Sequence, residues 1–364
     1  MKAQFYGFAL LILLMMKSCE STDPSSLPNR PFGSSSISVP SSSSNTSSTS
    51  PLYSFGTTSL QVIPPSGATI SEPIQIDALR GRDYPGSDIT IESVLDPGVN
   101  YSRYYVSYLS DGLKIYALMT IPNGPKPSTG WPVIIFNHGY IPPTVYRTTG
   151  RYIAYVDQIA SNGYIVFKSD YRGHDRSEGT PRGGYTQPDY TIDVLNAVAS
   201  VKKYPDADPN RIGMWGHSMG GYITLRAMVI TSDIKVGVIW GGVVAPYPDL
   251  FTRWNAGARQ TTPGPGSWVY SMQRAYGTVQ NNAQFWNSIS ANDYLHDLRA
   301  AIQLHHSTTD EEVPVEYSQM LYDEMLAANK TVELYTYPGD NHNISRNFSL
   351  AMQRSVEFFD KYLK

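Results

Sequence analysis

Arg211–Leu225 reads "RIGMWGHSMGGYITL": an apolar run, a serine between two glycines, then residues with helical spacing. A G-x-S-x-G pattern is short enough to occur by chance. It gains meaning only as a sharp strand-to-helix turn that lifts one hydroxyl out of the chain, with a base, an acid and oxyanion donors supplied elsewhere. The glycines Gly216 and Gly220 leave room for neighbouring backbone at such a turn. A helix beginning at Met219 aims the positive end of its dipole at the space in front of Ser218.

The surrounding chain supplies that context. Upstream, "VIIFNHG" reads as a buried strand, "TGRYIAYVDQIASNG" as an amphipathic helix ended by Gly163, and "YIVFKSDY" as a second buried strand. "YTIDVLNAVASVKKY" is a helix, "RIGMWGH" a strand, "MGGYITLRAMVI" a helix and "VGVIWGGVV" a strand. After an irregular stretch come strand "AIQLHHS", helix "PVEYSQMLYDEMLAAN", strand "TVELYTYP" and helix "FSLAMQRSVEFFDKYL". Before all of these, "YYVSYLSDGLKIYALMTIP" predicts a hairpin turning at Asp111-Gly112. Strands that are continuously apolar and alternate with helices predict an α/β fold with a mostly parallel sheet covered on both faces.

In such a sheet, ligands meet the residues just beyond the strands' carboxyl ends. Ser218 is there, as the candidate nucleophile. Of seven histidines, His342 in "YPGDNHNI" follows the last strand and is the candidate general base. The acid that orients its ring is assigned to Asp310 in "STTDEEVP". Glu311 and Glu312 are expected to face solvent or to start the next helix, and Asp249 and Asp340 are weaker competitors. His217 should point away from the serine. Backbone N–H groups of Met219 and of Tyr140, after "VIIFNHG", are the candidate oxyanion donors. The adjacent His305 and His306 should face opposite sides of a strand, so no metal site is expected, and no cofactor either. Arg172 and Asp175 in "YRGHDRSEG" are expected to brace a loop beside the site, since the segment lacks P-loop spacing.

Domain organisation follows from composition. Residues 1–18 read as a signal peptide, with Lys2 ahead of the apolar stretch Phe5–Met16, which is short for a membrane span. Cys19, the only cysteine, follows Ser18 as in a bacterial lipobox and is the candidate lipidation site, which would give a lipid anchor to a membrane. Residues 19–59, rich in serine, threonine and proline, read as a flexible tether. Residues 60–104 are expected to form an extension packed on the α/β domain at 105–364. Within that domain, an aromatic and Gly/Pro-rich stretch at about 245–296, carrying Trp254, Trp268 and Trp286, reads as a cap insertion. A net charge of −3 gives no hint of a nucleic-acid partner.

"FNHGY", "SDYRGHDRSEG", "DPNRIGMWGHSMGG", "HHSTTDEEVP" and "YPGDNHN" together resemble the α/β-hydrolases, and in particular the catalytic domain of prolyl-oligopeptidase-type serine hydrolases. The resemblance runs from about Ile74 to the C-terminus. It implies Ser218 as nucleophile, Asp310 as acid, His342 as base, and backbone donors at Tyr140 and Met219. The folded residues before Tyr105 are too few for the propeller that precedes the domain in prolyl oligopeptidases, and "HGYI" stands where many such peptidases carry an "HGGP"-like motif. An exported esterase is therefore the leading expectation, with a small-molecule ester as substrate. A peptidase acting on short peptides is second, and a non-catalytic binding protein on a hydrolase fold is the alternative of another class.

Overall fold

The computed structural model describes residues 72–252 and 267–364. The proposed signal peptide, Cys19, the tether, residues 60–71 and residues 253–266 of the cap insertion, Trp254 among them, lie outside the described residues.

Among the described residues, nine strands form one sheet in the order β1-β2-β3-β5-β4-β6-β7-β8-β9. The first three are β1 (Thr90–Leu95), β2 (Tyr101–Ser110) and β3 (Leu113–Pro122), all antiparallel to their neighbours. Next in the chain come β4 (Trp131–Asn137), β5 (Ile165–Ser169), β6 (Ala207–His217), β7 (Ile234–Trp240), β8 (Ala301–Ser307) and β9 (Val332–Tyr337), which run parallel to one another. Asp111 and Gly112, with φ of 53° and 78°, make the two-residue turn that pairs Ser110 with Leu113. Both central residues of a tight hairpin need positive φ, which Asp-Gly tolerates.

Helices cover both faces. Between the parallel strands lie α2 (Ile153–Ser161), α3 (Asp189–Val201), α4 (Met219–Ile230), α8 (Glu316–Ala327) and the closing α9 (Phe348–Leu363); α1 (Ile76–Arg80) precedes the sheet. Alternation along β4 shows why its residues are apolar throughout: Val133 and Ile135 enter one core cluster, Ile134 and Phe136 the other. This is the α/β-hydrolase fold.

The sheet begins earlier than the sequence boundary at 105. Residues 90–95 pair with β2, and β2 itself starts at Tyr101, so part of the expected extension is sheet. Edge strand β1 leaves five of its six residues exposed and is held by backbone pairing, so its side chains carry no apolar period to read. Ahead of it, Arg80 donates to the carbonyl of Val229 at 2.7 and 3.0 Å, and buried Arg226 reaches the carbonyls of Ile74 and Ile289. Helix α4 is thereby strapped to the segment before the sheet and to the insertion.

The described part of the insertion forms α5 (Tyr247–Thr252), α6 (Trp268–Tyr276), α7 (Ala283–Ile289) and a 3-10 turn at Ala291–Asp297. Its Phe285, Trp286 and Leu295 belong to the main core cluster rather than to a satellite of their own. The Trp286 indole donates to the carbonyl of Gly277 at 3.1 Å, and the Tyr247 hydroxyl meets that of Tyr222 on α4 at 2.6 Å.

Strand order reverses at β4: β5 lies on one side of it and β6 on the other. The crevice at this switch point is where the loops after β4 and β6 converge. The approach is close, because a Cβ built on Gly220 of α4 would stand 2.0 Å from the Asn137 carbonyl oxygen at the end of β4. Neither partner is a flexible side chain. Gly220→Ala should therefore cost about 3 kcal/mol or more, as overpacking against fixed backbone does. Denaturant unfolding of the variant checks this, and unchanged stability would contradict the packing described.

Candidate active site

Ser218 sits between β6 and α4 with φ 56° and ψ −121°, a left-handed conformation that a non-glycine residue keeps only when its surroundings impose it. Three backbone bonds do so. Its N–H donates to the Trp240 carbonyl at 3.0 Å, and its own carbonyl accepts from Gly221 at 2.9 Å and from Val243 at 3.2 Å. The strain points the side chain out of the turn at the start of a twelve-residue helix buried along nearly all its length.

Two expected donors flank this position. Met219 is the first residue of α4, and Tyr140 lies in the loop after β4. Among the described residues, neither backbone N–H has an acceptor. The β4 loop abuts the serine, since a Cβ on Gly139 would lie 3.2 Å from the Ser218 Cβ and 3.3 Å from His217 Nδ1. Tyr140 is 68 % exposed.

His342, in the loop after β9, donates from Nδ1 to Asp310 Oδ2 at 2.7 Å. Asp310, after β8, has a side chain only 1 % exposed, and both oxygens are filled. Oδ1 accepts the backbone N–H groups of Glu312 and Val313 at 2.8 and 2.9 Å, and Oδ2 also meets His306 Nε2 at 3.2 Å. Burial alone would raise the Asp310 pKa. Hydrogen bonds from His306 and His342 outweigh it and hold the carboxyl well below the usual carboxylate range. With Asp310 ionised, the Nδ1 proton of His342 is fixed and its Nε2 is the nitrogen left to take up a proton.

Further groups fix these loops. The Glu311 carboxylate accepts the backbone N–H of His342 at 3.0 Å, so this residue, expected only to face solvent or begin α8, also holds the histidine loop. Asp340 gathers the N–H groups of Asn341, Arg346 and Asn347, which makes it the knot of that loop rather than a rival acid. Gly241, at φ 50°, leaves the space that the His342 ring and Asp310 fill: a Cβ there would lie 3.1 Å from the ring and 3.2 Å from Oδ2.

The other histidines are engaged elsewhere. His305 bonds Tyr337 and Gln303, while His306 bonds Ser318 and the carbonyl of Val313, on the opposite side of β8. His306, read in the sequence only as the strand neighbour of His305, touches Asp310. His217 points away from the serine, but toward the His342 loop: its Nε2 lies 3.1 Å from the His342 carbonyl and the ring centroids are 4.5 Å apart. Arg172 forms a buried pair with Asp193 at 2.7 Å, and Asp175 accepts from Thr148, so both brace the loops after β4 and β5.

Residues 152–364, more than half of the chain, match a family model described as the prolyl oligopeptidase family. The chain belongs to the prolyl oligopeptidase family. As a member of it, the protein is a serine hydrolase. It is 26 % identical over 267 residues to the uncharacterized peptidase YtmA of Bacillus subtilis, covering 71 % of this chain and 95 % of that protein. Among solved structures, an acetyl xylan esterase from Paenibacillus sp. R4 is similar at a TM-score of 0.59 and 20 % identity, over 79 % of this chain and 92 % of that one. Acylaminoacyl peptidase of Pyrococcus horikoshii is similar at a TM-score of 0.57 and 22 % identity, over 73 % of this chain but only 42 % of its own length. Both structural likenesses establish the shared fold.

A depressed carboxyl pKa links the site to stability. Asp310 contributes stability above its unfolded pKa of about 4, and that contribution is lost as pH falls below this toward the lower folded value. Thermal unfolding of wild type and Asp310→Asn should therefore differ most near neutral pH and converge as the pH drops below about 4. A gap independent of pH would contradict the ionised, hydrogen-bonded state.

Proposed function

We propose that this family member is an exported serine hydrolase cleaving carboxylic esters. Ser218 Oγ attacks the acyl carbon while His342 Nε2 takes its proton, and Asp310 stabilises the imidazolium that forms. The N–H groups of Met219 and Tyr140 receive the negative charge developing on the carbonyl oxygen. Preorganised donors of this kind are each worth about 100- to 1,000-fold in rate. Collapse expels the alcohol, protonated by His342, and leaves an acyl group on Ser218. Water activated by the same histidine then releases the acid and restores the hydroxyl.

The observation that carries the ester reading is how the carboxylates beside the site are spent. Asp310 is filled by His342, His306 and two backbone N–H groups; Glu311 holds the His342 N–H, and Asp340 ties its own loop. Binding a peptide by its charged amino end asks for a carboxylate still open toward substrate. Tyr140, Val145 and Ile153, at the loop after β4 and the start of α2, are instead 68, 52 and 62 % exposed, with mostly apolar side chains. Similarity across nearly the whole length of an acetyl xylan esterase supports the same reading. The peptidase names among the relatives keep hydrolysis of short peptides as the second reading. Export, lipidation at Cys19 and tethering through residues 19–59 belong to the proposal on the strength of the N-terminal sequence.

Matched p-nitrophenyl esters and aminoacyl p-nitroanilides decide between the two. Ester kcat/KM should exceed amide kcat/KM by about 100-fold or more, and Ser218→Ala should lower both by about 10,000-fold. Amide turnover equal to ester turnover would overturn the ester preference.

A further inference from the structure

We infer that Tyr152 and His217 form a positioning relay that joins the oxyanion loop to the His342 loop and, with His138, sets the direction of the Tyr140 N–H. The inference rests on the reading of Ser218 as nucleophile and of Tyr140 as an oxyanion donor.

Hydrogen-bond directions along the relay follow from donor counting. The Tyr152 hydroxyl accepts the backbone N–H of Gly139 at 2.9 Å. Its single proton then goes to His217 Nδ1 at 2.8 Å. An Nδ1 that accepts leaves the ring proton on Nε2, which faces the His342 carbonyl at 3.1 Å. Burial, aided by the neighbouring His342, pushes the His217 pKa down to about 3, and burial keeps the Tyr152 hydroxyl protonated. The relay thus holds one protonation state wherever the enzyme works.

Gly139 is gripped from its other side as well. Its carbonyl accepts from His138 Nδ1 at 2.7 Å. The His138 ring is fixed in turn, stacked 4.4 Å from Tyr146 and 4.2 Å from Tyr171. The peptide joining Gly139 to Tyr140 is trans, so an inward-held carbonyl turns the Tyr140 N–H the opposite way, where it has no acceptor among the described residues. A flip of that peptide would remove a donor from the site.

Tyr152 is placed for this task at a visible cost. It occupies a left-handed conformation, φ 61°, just ahead of α2. The buried Lys168 ammonium donates to the carbonyls of Gly150 and Arg151 immediately before it, at 3.3 and 3.1 Å. Phe136 and Tyr155 pack edge-on against its ring.

Steady-state kinetics on p-nitrophenyl acetate test the relay. Tyr152→Phe should lower kcat about 10- to 100-fold with KM within about twofold, because the donor it aligns acts in the transition state. His217→Asn keeps an acceptor close to where Nδ1 stands and should retain at least about fivefold more kcat than His217→Leu, which a pure packing role would not produce. The double variant Tyr152→Phe/His217→Leu should be little worse than the weaker single variant, as for two members of one chain. Melting temperatures measured alongside separate loss of fold from loss of rate. Unchanged kcat in Tyr152→Phe, multiplicative losses in the double variant, or His217→Leu matching His217→Asn would each overturn the inference. Ser218→Ala in the same assay keeps the two readings apart. Full activity there overturns the nucleophile assignment and the relay with it, whereas an inactive Ser218→Ala beside a fully active Tyr152→Phe overturns the relay alone.

Discussion

The backbone of Ser218 is held in a conformation it would not choose, and the rest of the molecule depends on how that is done. Its N–H reaches the end of β7 and its carbonyl is shared by α4 and the chain after β7. Helix α4 must then leave the sheet so steeply that Gly220 lies against the Asn137 carbonyl, while the Asn137 amide donates to Thr224 one turn further on at 2.8 Å. Strain of this kind persists only in a frame that over-determines it. The frame here is three adjacent parallel strands, β4, β6 and β7, together with a helix buried nearly all round.

From that constraint the site's composition follows. Because β4 and β6 are neighbours, the loop carrying Tyr140 arrives beside Ser218 without any long excursion. Because β8 and β9 continue the parallel order, Asp310 and His342 emerge from adjacent strand ends and meet at 2.7 Å. Each catalytic candidate is backed by further groups: His306 on Asp310, Glu311 and Asp340 on the His342 loop, and Tyr152 and His217 between the loops. Preorganisation of this sort lets donors meet developing charge without moving when the reaction occurs.

The strands and helices around Ser218 are legible because buried parallel strands have no polar face to interrupt their apolar runs, and glycines mark the turns. Helix α4 and strand β8 have the limits their sequences suggest, Met219–Ile230 and Ala301–Ser307. Edge strand β1 is not legible, since five of its six residues are exposed and show no apolar period. Ser218, Asp310 and His342 are recognisable as residues just past strand ends. Their supports are not: nothing in "TTGRYIAY" signals that Tyr152 is left-handed, or that its hydroxyl reaches a glycine thirteen positions back. His306 sits beside His305 with only strand alternation to separate their roles, and Glu311 lies in an acidic run that reads as solvated. Contacts made across loops leave no periodic trace in a sequence.

The central claim is that Ser218, and no other hydroxyl, is the nucleophile that His342 and Asp310 activate. Treatment of the full chain with a fluorophosphonate, followed by peptide mapping by mass spectrometry, tests it most directly. The account predicts a single phosphonyl group on the peptide containing Ser218, formed at least about 100-fold more slowly in His342→Ala, in line with the cost of losing a general base. An adduct on a different residue, or labelling at Ser218 that is indifferent to His342, would contradict it.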